Sequence, residues 1–265
     1  MVGAVVVYLS GSAVDPLRSF LTEGEKMLKM SDEEYFAHPA LNQSSFKKFM
    51  VSPLNYKHFL DDPMKKTMAM TLGSMVHCHF LEPEEFSSRF SLFTGTKGMD
   101  TKQANEFRLN NPGKEIFSQQ MHDQMVGMVA CIKGHQLPAP SRREVVAIST
   151  ILGIEVKAKA DWIDDENWIW DLKTTANLDK WEYDSRKLRY DVQAQWYMNA
   201  FSEIEPQGFK WLVVGNTKPY DSRLFQAKTE TLANATMDII REMESFKVCQ
   251  ETDIWPGYPK IPMEI

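Results

Sequence analysis

Ile154-Glu155-Val156-Lys157-Ala158-Lys159-Ala160-Asp161-Trp162-Ile163, followed after Asp164-Asp165-Glu166-Asn167 by Trp168-Ile169-Trp170-Asp171-Leu172-Lys173-Thr174, decides how the chain is read. Both runs alternate with the period of two that a strand imposes, and the polar residues between them make an acidic turn, so the stretch predicts an antiparallel hairpin. In the first strand Ile154, Val156, Ala158 and Ala160 share one face, and Glu155, Lys157, Lys159 and Asp161 share the other. In the second, Ile169, Asp171 and Lys173 stand opposite Trp168, Trp170 and Leu172. Pairing through the turn brings Asp161 and Asp171 together at one end of the sheet. Two carboxylates that close raise each other's proton affinity unless a cation lies between them, and a hard divalent ion, Mg2+ or Mn2+, suits oxygen ligands. Lys173, beside Asp171, is then placed to orient an attacking water or to neutralise charge building on a phosphate. The plainer reading of an Asp-x-Lys on an edge strand is a solvated ion pair.

Working outward, Glu144 to Ser149 reads as a further strand, joined to the hairpin by the turn at Leu152-Gly153. A long helix from about Arg186 to Ile204 follows the hairpin, then strands Phe209 to Val214 and Arg223 to Ala227, then a helix from Thr229 to Phe246. Upstream the text is helical. Ser31-Asp32-Glu33-Glu34 has the acidic first turn of a capped helix, and Asn42-Gln43-Ser44-Ser45 offers caps for the next. Thr71 to Leu81 is an apolar helix ended by Glu82-Pro83, and Ser118 to Lys133 is another, ended by Gly134. Residues 91 to 115 are polar and read as a loop plus a short helix. The order of helices and strands predicts an α/β (or α+β) fold, a mixed central sheet flanked by helices with a helical N-terminal elaboration.

The whole-chain numbers exclude some classes. With 265 residues and a net charge of -6, the chain can bury a full core but lacks a uniformly basic nucleic-acid coat, although a local basic groove remains compatible. Three scattered cysteines, Cys78, Cys131 and Cys249, make neither a disulfide framework nor a four-cysteine metal site, which fits a reducing, cytoplasmic setting. The apolar run Val2 to Leu9 has no basic residues before it, as a signal peptide would, and is too short to span a bilayer. Residues 1–30 are therefore set apart as a leader, with Met27 and Met30 as alternative starts. Residues 31–265 are expected to form one domain, helical over 31–140 and with the sheet core over 141–265.

Two helical pairs add to the hairpin. Gly73 and His77 lie one turn apart on one helix face, where glycine allows close approach to the sheet and the imidazole reaches past it. His77 also reads as an ordinary core histidine, and His79 is a rival that geometry must exclude. Gln193 and Tyr197 repeat the spacing with an amide and a phenol, on a helix whose Trp196, Met198 and Phe201 also suit a plain core-lining role. Taken in chain order, Gly-x-x-x-His, Asp, Asp-x-Lys and Gln-x-x-x-Tyr resemble the PD-(D/E)XK nuclease superfamily in its RecB-like branch. Tyr35 to Ser45, Ser52-Pro53, Gly73 to Pro83, Trp170 to Thr175 and Tyr190 to Tyr197 are most similar to the nuclease-domain family of RecE (exonuclease VIII), over roughly Ser31 to Pro262.

That resemblance implies a restriction-endonuclease-like fold with His77, Asp161, Asp171 and the main-chain carbonyl of Leu172 as ligands of Mg2+, Mn2+ being a substitute. It implies Lys173 as the catalytic lysine, with Gln193 and Tyr197 lining the site. It further implies an exonuclease acting on linear double-stranded DNA from the 5′ end in recombination or repair, a ring-shaped homo-oligomer, a single-strand-annealing recombinase as partner, and no membrane association. Ala160 stands where the superfamily's name has proline, the cysteines of its iron–sulfur subgroup are missing, and no Gly-x-x-x-x-Gly-Lys-Ser/Thr motif for an ATP-driven motor occurs. Basic residues that could follow a DNA backbone are Lys47 and Lys48, with Lys57, Lys65 and Lys66, and then Arg186, Lys187 and Arg189 beside the second helix. The competing readings are a single-strand or structure-specific endonuclease on the same core, a catalytically inactive DNA-binding or assembly subunit, and a metabolic metalloprotein of similar fold.

Overall fold

In the computed structural model, which describes residues 26–62, 65–95 and 98–260, the first elements are strand β1 (Lys26–Lys29), helix α1 (Asp32–Ala37) and the short strand β2 (Leu41–Asn42). The apolar run at residues 2–9 lies outside the described residues, whereas four residues of the segment set apart as a leader form β1. Helices α2 (Gln43–Val51), α3 (Pro53–Asp61), α4 (Met68–Leu81) and α5 (Phe86–Arg89) follow. Each of the first three begins at a side chain suited to the job: Asn42, Ser52 and Thr67 accept from the backbone N–H groups of Ser45, Asn55 and Met70. The capped helix start read at Ser31 is present and takes the form of a capping box, with Ser31 and Glu34 satisfying each other's backbone N–H groups.

Strand β3 (Phe90–Phe93), helix α6 (Lys102–Leu109) and strand β4 (Glu115–Ser118) come next. The polar stretch read as loop plus helix therefore also holds a two-stranded parallel sheet, β3 with β4, over a small core of Phe93, Ala104 and Ile116. Each strand is only four residues long, below the length at which alternation stands out from a polar background. After α7 (Gln119–Ile132), capped by Ser118, the chain enters β5 (Pro140–Ile151), β6 (Ile154–Asp164) and β7 (Trp168–Thr175), the meander read from the sequence. Helices α8 (Trp181–Lys187) and α9 (Tyr190–Ala200), strands β8 (Gly208–Gly215) and β9 (Ser222–Gln226) and the 24-residue helix α10 (Thr229–Thr252) complete the described chain.

The single long helix expected from Arg186 to Ile204 is a correction. Arg189 takes a left-handed backbone (φ 52) between α8 and α9, and a short 3-10 turn replaces the end over Ser202–Ile204. The Arg189 guanidinium reaches Asp191 at 3.0 Å and Asp238 of α10 at 2.6 Å. This ties the break to a tertiary contact that helical periodicity does not contain.

The seven-stranded main sheet runs β1-β5-β6-β7-β8-β9, with β7 and β8 parallel and the other neighbours along this path antiparallel, and β2 pairs parallel with β6. Helices α2, α9 and α10 bury Phe46, Phe49, Trp196, Ile239 and Phe246 against Val156, Ala158 and Ile169 on one face. Helices α4 and α7 bury Met75, Val76, Met125 and Met128 against Trp162, Trp170 and Leu172 on the other. At ~25 cal/mol per Å2 of apolar surface, these two layers are the main source of stability. No helix among the described residues is long and apolar enough to cross a membrane.

The feature that makes a site is a fork. β6 and β7 pair only at Trp162 with Trp170 and Ile163 with Ile169. In that register Asp161 and Asp171 would be the next pair, and there the ladder stops, while β2 takes the edge of β6 further on through Leu41 with Val156 and Asn42 with Lys157. The hairpin end is held by Asp164, whose carboxylate accepts from the backbone N–H of Glu166 and Trp168 and from Trp170 Nε1. Asp164 thus has a structural role in the turn, while Asp161 and Asp171 lie where the strands part.

Candidate active site

Splaying two strands leaves backbone N–H groups without ladder partners, and each must be satisfied some other way. The Leu172 N–H donates to Asp161 Oδ2 at 2.6 Å, so the fork holds the Asp161 carboxylate in place. His77, reaching down from α4, sets Nδ1 3.4 Å from the same oxygen, and its ring also donates to the Leu172 main chain. On the other branch Asp171 Oδ1 accepts from Gln193 Nε2 at 2.8 Å, and Asp171 Oδ2 is held by the Lys173 ammonium. Tyr197, one turn beyond Gln193 on α9, is buried and hydrogen-bonds the Gln193 side chain. The structure therefore brings His77, Asp161, Asp171, Leu172, Lys173, Gln193 and Tyr197 to one place. The rival His79 packs edge-on to Phe86 instead, with ring centroids 5.4 Å apart.

The electrostatics follow from burial. Desolvation first, and then the Asp171 carboxylate, push the Asp161 carboxyl well above the ordinary range, with Lys173 and the Leu172 N–H opposing. Burial, then the Lys173 charge, hold the His77 imidazole below its usual value and so favour the neutral ring. The Lys173 ammonium is kept protonated by Asp171 against the desolvation that would lower it.

Among the described residues no three His, Cys, Asp or Glu side chains are drawn together as a finished ligand cage. The donor set nevertheless fits a hard divalent cation. The two carboxylates stand together with one ammonium between them, Asp161 is disfavoured as an anion by burial and by Asp171, and burial favours the neutral His77 ring, so oxygen and nitrogen donors converge. His77, Asp161, Asp171 and the Leu172 carbonyl are the residues that would hold such an ion.

Gly73 sits over Thr174, but a Cβ built there would stand 3.5 Å from Thr174 Oγ1, an ordinary contact. Close approach to the sheet does not require glycine at this position. Gly73→Ala is expected to fold and to gain about 0.5–1 kcal/mol from helix propensity. A thermal melt lower than that of the wild type would contradict this.

A cleft of about 660 Å3 opens over His77, Asp161 and Lys173. Its wall includes Glu144, which the sequence marks only as the start of a strand. Val145 pairs with Ala160 and Arg143 with Trp162, so Glu144 lies across from Asp161, and burial followed by the Asp161 charge pushes its carboxyl up to about 7. The signal that could have found it is the hairpin register, counted back from Asp161.

The basic residues proposed for a DNA backbone divide by environment. Lys47 lies beside the site, donating to the Leu188 carbonyl at 3.0 Å and standing 5.3 Å from the Tyr190 ring centroid, as does Lys173. Desolvation and the Lys173 charge lower the Lys47 ammonium to about 8. Lys48 is exposed and stands over Phe59. Lys57 stands over Trp255, Lys66 pairs with Glu115 at 2.6 Å, and Lys65 is exposed. Arg186 and Lys187 are exposed, the former 3.6 Å from Glu182, whereas the charge of Arg189 is engaged by Asp191 and Asp238.

The comparisons with known proteins agree with this architecture. The profile of a family described as "PDDEXK-like domain of unknown function (DUF3799)" matches residues 42–261. A crystal structure described as a "putative exonuclease" from Eubacterium rectale superposes with a TM-score of 0.65 at 17% identity, over 89% of this chain and 97% of that one, a likeness of fold. No curated protein matches the sequence.

Proposed function

Because the chain belongs to the PDDEXK-like family, with the fold of a PD-(D/E)XK nuclease, we propose that it is a divalent-metal-dependent exonuclease that hydrolyses phosphodiester bonds of linear double-stranded DNA. Digestion starts at the 5′ end and serves DNA recombination or repair. The observation that carries this reading is the fork, which sets Asp161 and Asp171 side by side with Lys173 on the second carboxylate. A structural ion pair needs neither the neighbouring carboxylate nor the neutral histidine.

When bound, Mg2+ or Mn2+ supplies Lewis-acid polarisation of the phosphate and a water of lowered pKa. The chain's own groups do the rest. Asp161 is oriented by the Leu172 N–H, and Asp171 by the Gln193 amide, which Tyr197 backs from the buried side. The Lys173 ammonium, half-buried next to Asp171, can donate to the attacking water and oppose the negative charge that grows on the phosphate oxygens. Burial of the His77 ring keeps a nitrogen lone pair available.

The test compares a 5′-labelled linear duplex with a covalently closed circle of the same sequence, each incubated with protein in Mg2+ and in excess chelator. The expected result is nucleotide release from the linear form alone, and only with Mg2+. A circle nicked as fast as the linear form replaces the exonuclease with an endonuclease, and digestion that persists in chelator removes the metal-dependent reading. The resemblance to RecE extends the proposal to a ring-shaped homo-oligomer threading duplex ends and to a single-strand-annealing recombinase partner. Light scattering of the purified protein tests the ring: a monomeric mass at micromolar concentration contradicts it.

A further inference from the structure

Phe36 is 73% exposed, on a helix of only six residues, α1. A helix that short does not hold itself. Its support is tertiary and converges on the residues flanking Phe36. The buried Lys157 ammonium donates to the carbonyls of Tyr35 at 2.5 Å and His38 at 2.6 Å. Asp32, in the first turn, accepts from Arg89 at 2.8 Å and Lys159 at 2.6 Å. The neighbouring Tyr35 turns inward and buries its ring, which meets Phe36 edge-on at 5.4 Å.

The result is a fixed platform carrying an aromatic ring into water. Single exposed apolar side chains are common and need no explanation. This one differs in its place: Phe36 and the exposed Met70 both line the cleft that holds His77, Asp161 and Lys173. The cations on the cleft walls, Lys66, Arg89, Lys159 and Lys173, are each paired with a carboxylate, so the feature left to meet a ligand beside the proposed hydrolytic groups is the flat ring, which suits the π-face of a nucleobase.

We propose that Phe36 is a stacking subsite for an unpaired nucleobase of the DNA strand entering the cleft, an inference that rests on the nuclease reading above. Stacking of one base accounts for about a 10-fold gain in affinity, at the lower end of what such contacts provide.

The test is a double-mutant cycle between protein and DNA in chelator, where no cleavage competes. Wild type, Phe36→Ala and Phe36→Trp are titrated by fluorescence anisotropy with a duplex bearing a short single-stranded overhang, intact or with one base at a time replaced by an abasic site. At one overhang position the wild type is expected to lose about 10-fold on base removal. Phe36→Ala should lose about as much on intact DNA and nothing more at that position, and Phe36→Trp should bind as wild type. Since the side chain is exposed, all three should melt alike. Wild-type affinity in Phe36→Ala, or losses that simply multiply at every position, overturns the subsite. Cleavage of the same duplex by wild type in Mg2+ is measured alongside. Coupling without cleavage removes the nuclease reading and leaves a DNA-binding subsite, and cleavage without coupling does the reverse.

Discussion

Asp171→Ala is expected to lower metal-dependent DNA hydrolysis by roughly 10³-fold or more, and Lys173→Ala by a comparable factor, because the two side chains act as one unit with Asp161. Asp171 has two protein partners, Gln193 on one oxygen and Lys173 on the other, so its removal loosens both the amide and the ammonium. The double variant should therefore be little worse than either single one, as happens when residues share a function. Metal binding separates the two roles. A calorimetric Mn2+ titration should lose most of its heat in Asp171→Ala and keep it in Lys173→Ala, since a lysine ammonium is not a ligand. Asp171→Asn, which keeps the shape and the acceptor for Gln193, should retain the melting temperature and still lose activity. Full activity in Asp171→Asn would show that the carboxylate is a structural partner of Lys173 and Gln193 only.

How much of this site could be read from the sequence depends on which forces set each part. Alternation over the first part of β6 and over β7 set Asp161, Asp171 and Lys173 on paired strands, because a half-buried strand writes its two faces into the text at a period of two, although beyond Asp161 the pattern breaks, Trp162 packing in one core and Ile163 in the other. Helical spacing likewise paired Gln193 with Tyr197. The fork itself was not legible. That β6 and β7 part directly after Trp162 and Trp170 follows from β2 taking the vacated edge, and β2 is two residues long. The break at Arg189 depends on Asp238, far along the chain, and the presence of Glu144 in the cleft depends on register. Local pattern thus identified the elements, and contacts between residues remote in sequence decided where they bend and which side chains meet.

Lys157 shows the same limit with the largest consequence for stability. Alternation assigns it to the outer face of β6 with Glu155 and Lys159, yet it is 2% exposed, because α1 and the segment leading to β2 cover that end of the strand. No carboxylate pairs with it among the described residues. Its ammonium is held by two main-chain carbonyls at the C-terminal end of α1, where the helix dipole favours a cation, and by the Tyr35 ring at 4.7 Å. Lys157→Ala would leave both carbonyls unsatisfied and open a cavity the length of the side chain. The expected cost is about 3 kcal/mol, which in a chain of this size lowers the melting temperature by about 8 °C. Lys159→Ala, two residues on, removes a lysine that bridges Asp32 and Glu144 near the surface, at 2.6 and 2.8 Å, and should cost about 1 kcal/mol or less. Differential scanning calorimetry of the two variants decides the matter. Equal and small shifts would mean that water replaces the Lys157 ammonium at the two carbonyls. A large shift for Lys157→Ala alone would establish that one buried cation fixes α1 over the sheet.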